Sequence, residues 1–268
     1  MSWPFETSEP RITPQAVLDF ICERNGVTPA DIALPPTLLG TFQFRTDQRL
    51  RSRTNAAPLP ITSERPALAM GITNSLGTLV GRTPRTGRQV AVAMVPVGAP
   101  AAAMLMEFAI ARGVRNVLFC GSAGSLRPEL PIGSVAVIDS AEREDGTSHH
   151  YLPAQEIVAA DAELSSSLIS TARTLGGEPV RGQTWTIDAP FRETLGAIER
   201  HQTAGIAVVD MEAAAIFAVA KVRGVRAGII VAVSDEVFRP WAPGFHSGEF
   251  EAAQDLVADA VIEVAEEL

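Results

Sequence analysis

Two carboxylates carry the strongest chemical signal in this chain. Glu212, in Val209-Asp210-Met211-Glu212-Ala213-Ala214-Ala215, opens a helix of small residues. Asp235 follows Val233-Ser234 at the end of the apolar run that begins at Ala227. Acids at neighbouring element ends of an α/β sheet suit a cleft that holds a polyhydroxylated ligand and moves a proton. The same residue types serve as helix caps and loop acids, and these two segments alone leave that reading open. A third segment, Cys120-Gly121-Ser122-Ala123-Gly124-Ser125-Leu126, follows a strand, where a glycine-rich turn brings backbone N–H groups close to an anion or a sugar. It is not a Walker sequence, because Gly-Lys-Ser/Thr is missing. Nor is it a dinucleotide fingerprint, because the third glycine and the following helix are missing.

Such residues need a scaffold whose strand ends converge. Residues 14 to 25 read as a short helix, with Thr13 as cap, Pro14 in its first turn and Gly26 as its stop. A proline-rich connector leads to a strand over residues 37 to 42. Residues 50 to 66, rich in Arg, Pro, Ser and Thr, read as an exposed excursion. From residue 88 the rhythm is regular. Strands are expected over 90–95, 116–120, 134–138, 179–185 and 226–233, and helices over 101–112, 161–175, 211–223 and 249–268. Strands alternating with helices of this length define an α/β fold with helices on both faces of the sheet.

The chain has 268 residues, 46% of them hydrophobic, enough for one sizeable core. With 22 basic and 31 acidic residues the net charge is -9, and no block of Lys or Arg stands out. That argues against polymeric nucleic acid as a partner, since phosphate-backbone binding needs a positive surface. Cys22 and Cys120 follow neither a metal nor a redox spacing, and a buried thiol in a reducing compartment is the default for Cys120. The first residues lack the pattern of a signal peptide and no apolar run approaches membrane-spanning length, so a cytoplasmic protein without a membrane partner is expected.

Taken in order, the strand, Gly98-Ala99-Pro100, the helix, the strand, Gly-Ser-Ala-Gly, Asp145-Gly146-Thr147-Ser148-His149-His150, Asp-Met-Glu-Ala and Ser-Asp resemble the nucleoside phosphorylase and nucleosidase superfamily. The resemblance covers residues 37–268 as a catalytic domain and leaves 1–36 as an N-terminal helical extension. It implies a three-layer α/β/α sandwich with a central mixed, mostly parallel sheet, and cleavage of the N-glycosidic bond of a nucleoside. Glu212 matches the acid that binds the ribose 2′- and 3′-hydroxyls, and Met211 the residue packed under the sugar. A carboxylate there stabilises the oxocarbenium character that develops as the bond breaks. Asp235 matches the general acid at purine N7. Gly98, Gly121 and Ser122 would line the nucleophile pocket.

Uridine-cleaving relatives lack that acid and read uracil with a Gln and an Arg, a pair absent from Ala189-Pro190-Phe191-Arg192-Glu193-Thr194. Residues 143–150 look more like the uridine type, but the proton donor favours a purine-type base. Trp185 and Phe191 are candidates for the base wall, with a core position as the alternative for Trp185. His149 and His150 are placed to reach a sugar 5′ group or to form a surface pair. Residues 238–246, directly after the acid, read as a lid or as a rigid connector.

The phosphate-binding pattern departs from the family. Ser122 is present, but the arginine expected three residues earlier is Phe119, and the one usually donated by a neighbouring subunit falls near Leu76. Arg45 stands one position from where a first-loop arginine is expected. Each missing charged hydrogen bond costs a dianion about 1.5 to 3 kcal/mol. Nucleosidases also lack the Phe119-position arginine, but they carry a first-loop glutamate where Arg45 falls, for which Asp47 is the substitute. Other arginines, such as Arg82, Arg127 or Arg192, are available to rebuild an anion site. The balance tips slightly to hydrolysis over phosphorolysis, with phosphate-dependent cleavage and non-catalytic nucleoside binding as the alternatives. No metal or organic cofactor is implied, and a homo-oligomer is expected.

Overall fold

The architecture comes from a computed structural model that describes residues 5–59 and 78–268. Among these residues the sheet begins with β1 (Thr37–Thr41) and β2 (Ala57–Pro58). It continues through β3 (Leu79–Arg82), β4 (Gln89–Met94), β5 (Asn116–Ser125), β6 (Val135–Glu144), β7 (Val158–Ala159), β8 (Val180–Ile187), β9 (Val208–Asp210), β10 (Arg226–Glu236) and β11 (Ala242–Pro243). One edge of β5 pairs in parallel with β10 over ten residues. On its other edge β1 pairs with the first half, up to Cys120, and β9 with Gly124 and Ser125. From β10 the chain of neighbours passes through β6 and β8 to β9 and so back to β5, closing a ring; β1, β4, β3 and β2 extend outward from it. The longest pairings, β5 with β10 and β6 with β8, are parallel, whereas no antiparallel pairing exceeds four residues. The sheet is therefore mixed and mostly parallel, as the sequence implied.

Helices cover both faces because the central strands are apolar on both sides. On β5, Val117 and Phe119 face one core with Ile229 and Val231 of β10. That core is closed by α3 (Ala99–Ala111) and α7 (Ala213–Arg223), whose alanines permit close approach. Leu118 and Cys120 face the other with Ile230 and Ala232, under α5 (Ala162–Thr174) and α8 (Gly248–Ala265). This is the expected three-layer α/β/α arrangement, and it is one of the two-sided layer solutions open to a parallel sheet. The N-terminal helix α1 (Pro14–Asn25) forms with Thr13 as cap and Gly26 in the left-handed conformation at its end. Its Leu18 and Cys22 pack with Ile32 against Phe108 of α3, and Arg112 Nε donates to the Ile32 carbonyl at 2.7 Å.

Two segments differ from expectation. Residues 50–54 complete the helix α2 (Phe44–Thr54) instead of opening a loop; Leu50, fully buried, anchors it. The rest of the expected excursion, from residue 60, and Leu76 lie outside the described residues. The Gly-Ser-Ala-Gly segment is not a turn after a strand but the second half of β5 itself, because β10 pairs with it as far as Ser125.

Candidate functional site

Beside its glycines, β5 has a stretch of edge left without a strand partner among the described residues. Gly121, Ser122 and Ala123 lie between the last residue paired with β1 and the first paired with β9, so that edge has no strand neighbour among the described residues. Gly124 is paired with Val209 on one side and Asp235 on the other. A Cβ on Gly124 would stand 3.0 Å from the Val209 side chain and 3.5 Å from Asp235 Oδ2, so a larger residue there would crowd Val209. Through this residue the sheet brings the loop bearing Glu212 level with the end of β10. The register of β10 slips between Val233 and Asp235. The resulting bulge at Ser234 turns the next side chain out of the ordinary alternation.

Asp210 caps α7. Its Oδ2 accepts from the amides of Ala213 at 2.7 Å and Glu212 at 3.2 Å, and its Oδ1 from the hydroxyls of Thr186 at 2.6 Å and Thr184 at 3.1 Å. Glu212, although it stands at the helix N-cap, makes no side-chain cap bond. Its Oε1 instead accepts the Gly98 amide at 2.6 Å, at the start of α3. Gly98 has φ of +120°, a conformation that favours glycine. Glu212 is thus buried between two helix N-termini. Burial, with the neighbouring Asp210 charge, pushes its carboxyl up to about 8. Met211 is half-buried beside it.

Asp235 accepts from the Ser234 hydroxyl at 2.7 Å through Oδ1 and from Trp241 Nε1 at 2.9 Å through Oδ2. Glu193 lies close enough to feel its charge. Burial first, then Asp235, raise the Glu193 carboxyl to about 7. Glu193 was missed as a site residue because its segment, Phe191-Arg192-Glu193, carries no periodic pattern; only the acid two residues after an exposed aromatic hinted at it.

Several candidates lie elsewhere. Trp185 is a core residue: it is 0% exposed, its Nε1 donates to Glu144 Oε2 at 3.0 Å, and its ring stacks on His201 at 4.2 Å. Strand alternation explains this, since Thr184 and Thr186 take the face toward Asp210 and Trp185 takes the opposite one. Phe191 stands in solvent, 99% exposed, in a 3-10 turn. Arg45 does not reach the glycine strand. It forms a bidentate pair with Asp255 of α8, both contacts at 2.9 Å, and a third at 3.1 Å with Glu251. One position along the first turn of α2 sends it to the outer face, while Gln43, at the N-cap, hydrogen-bonds Ser122 Oγ. Asp47 is buried on that helix, paired with Arg51 at 2.7 Å. Arg127 is held by the Gly205 and Ile206 carbonyls. On the short helix α4 (Ser148–Tyr151) the His149 ring nitrogens face Arg143, at 3.3 Å from its guanidinium and 3.3 Å from its carbonyl.

Where the family arginine is expected, Phe119 is fully buried and stacks on Phe42 at 5.1 Å. The Phe42 ring would lie 3.3 Å from a Cβ on Gly121. The mouth beside Gly121 and Ser122 is therefore walled by an aromatic pair and lined by amides and a hydroxyl, since Gln254 donates to Gln43 Oε1 at 2.7 Å. Among the described residues no group of three or more metal-ligating side chains is gathered. No described helix is long and apolar enough to cross a membrane.

Fold and local geometry together define an α/β protein with carboxylates at the start of α7 and near the end of β10, beside a glycine-containing stretch of β5. The family described as the phosphorylase superfamily matches residues 40–268, most of the chain, and the protein belongs to it. The chain is 27% identical to a uridine phosphorylase of Haemophilus influenzae over 161 residues, 55% of this chain and 64% of that protein. It is 28% identical to a guanosine phosphorylase of Halorubrum lacusprofundi over 177 residues, 65% of this chain and 73% of that one. A uridine phosphorylase of Thermococcus kodakarensis is 28% identical over 195 residues, 68% and 69% of the two chains. The match to the Haemophilus protein spans just under two thirds of its length.

Proposed function

We propose that this protein cleaves the N-glycosidic bond of a purine-type nucleoside with phosphate as the nucleophile, giving ribose 1-phosphate and the free base. The observation that supports the reading is the pairing of Gly124 with both Val209, three residues before Glu212, and Asp235. Glu212 binds the ribose hydroxyls and, once ionised, stabilises positive charge on the sugar. Asp235 meets the leaving base. Phosphate is preferred over water, against the slight leaning of the sequence, because the relatives are named as phosphorylases. The purine-type base rests on Asp235 alone, since those names cover uridine as well as guanosine.

A second reading, hydrolysis, draws on the Phe42–Phe119 wall and on Arg45 being spent on α8. Base release from guanosine, inosine and uridine, with and without phosphate, separates the two. Ribose 1-phosphate formed only with phosphate is the expected result; free ribose at a phosphate-independent rate supports hydrolysis. A cytoplasmic homo-oligomer remains part of the proposal.

Asp235 and Glu193 share the proton that the base needs. The Ser234 hydroxyl and Trp241 Nε1 both donate to Asp235, while Glu193 beside it is mostly protonated below about pH 7 and charged above it. The contribution of Glu193 to turnover is therefore expected to fall as pH rises through about 7 and a negative charge appears beside Asp235, while ionisation of Glu212 toward about pH 8 acts in the opposite direction. Glu193→Gln should flatten that limb of the pH–rate profile. A variant retaining the wild-type inflection near pH 7 would remove Glu193 from the scheme.

A further inference from the structure

We propose that Trp241 positions Asp235 and supplies the platform on which a purine base stacks, an inference that rests on the nucleoside-cleaving reading and deepens it. Neither aromatic anticipated for the base is available: the Trp185 ring is covered by His201, and Phe191 stands clear of the body of the protein. Trp241 differs from both. Its one polar atom is committed to Asp235 Oδ2 at 2.9 Å, yet the residue is 63% exposed. An indole N–H only donates, and it lies in the ring plane. The carboxylate is therefore held at the rim of an open aromatic face. A flat base that hydrogen-bonds Asp235 from above or below that plane is brought into offset contact with the ring.

The orientation of the ring is fixed by the segment that carries it. Ala242 and Pro243 pair antiparallel with Glu236 and Asp235, and the Gly244 amide donates to the Ser234 carbonyl at 2.9 Å. A Cβ on Gly244 would fall 2.4 Å from Ile132, so the strap is packed tightly where it turns back. Arg239 pairs with Glu236, and Phe245 tilts against Trp241 at 6.4 Å. These contacts describe a rigid connector rather than a swinging lid. A two-ring purine overlaps the indole more than a single-ring pyrimidine does, so the platform also selects between them.

The test uses the full chain, with Trp241→Phe, which keeps a ring and deletes the donor, and Trp241→Ala, which deletes both. For Trp241→Phe, kcat with inosine is expected to fall about tenfold with KM within about twofold, the size of one lost hydrogen bond to a charged group. Trp241→Ala should in addition weaken hypoxanthine binding, measured by calorimetry, about tenfold or more, the scale of one lost base stack. A merely structural role would lower the melting temperature without this split between kcat and KM. Hypoxanthine binding that is absent, or as tight in Trp241→Ala as in wild type, overturns the proposal. If wild type cleaves no nucleoside but binds hypoxanthine in a Trp241-dependent way, the catalytic reading fails and the platform stands.

Discussion

Asp235→Asn is expected to cut purine-base release by about a thousandfold, in the range that general acid catalysis contributes, while leaving the melting temperature within a few degrees of wild type. The amide has the same shape as the carboxylate and its oxygen still accepts from Trp241 Nε1, which can only donate. Its NH2 then faces Ser234, whose hydroxyl can rotate to accept. The β10 bulge and the β11 pairing are unaffected. What disappears is a group able to pass a proton between Glu193 and the departing base. The measurement is single-turnover release of hypoxanthine from inosine. Because a pyrimidine has no N7 for this donor to reach, uridine turnover, if present, should fall less. Equal losses on both nucleosides, or none, would remove Asp235 as the proton donor.

Glu212→Gln is expected to lower kcat/KM by about a hundred- to a thousandfold, the scale of removing one preorganised electrostatic partner of a charged transition state. Gln retains an acceptor for the Gly98 amide, so the start of α3 is preserved, but it cannot carry the negative charge that a sugar cation needs. Stability should respond in the opposite direction. Burial raises the Glu212 carboxyl far above its ordinary value, so the folded protein holds a proton that the unfolded chain releases. Between the ordinary carboxylate range and about pH 8, wild-type stability therefore decreases as pH rises. The Gln variant loses the Glu212 share of that dependence, leaving those of Asp210 and Glu193, and at pH 8 and above its melting temperature should exceed that of wild type. Denaturation followed from pH 5 to pH 9 checks the slope, and sugar-product formation checks the activity. A variant that loses base affinity alone would place Glu212 away from the ribose.

Much of the scaffold was legible because it follows from local pattern. Thr13, Pro14 and Gly26 marked both ends of α1, and the apolar runs ending at Cys120 and Val233 are buried on both faces, as a parallel sheet requires. The positions of the motif acids at element ends were legible as well: Glu212 stands at the start of α7 and Asp235 near the end of β10. Failures came where a side chain's direction depends on more distant partners. Trp185 could not be assigned to a face from its neighbours in sequence, since the apolar cluster that claims it includes residues of α6 (Leu195–Thr203), such as Ala197 and Ile198. Arg45 looked like an anion ligand until α8, some two hundred residues later in the chain, presented Asp255 and Glu251 to it.

By itself, then, the amino-acid order determined the alternation of strands and helices, the layered class and the two acids, because hydrophobic period, capping chemistry and glycine placement act over a few residues. Only the tertiary structure decided that Asp210 caps α7 while Glu212 turns to Gly98, that Gly-Ser-Ala-Gly is strand rather than turn, and that Glu193 and Trp241 lie beside Asp235. Each of those outcomes turns on strand register and on contacts between residues far apart in the chain, where one slipped position reverses the direction of a side chain.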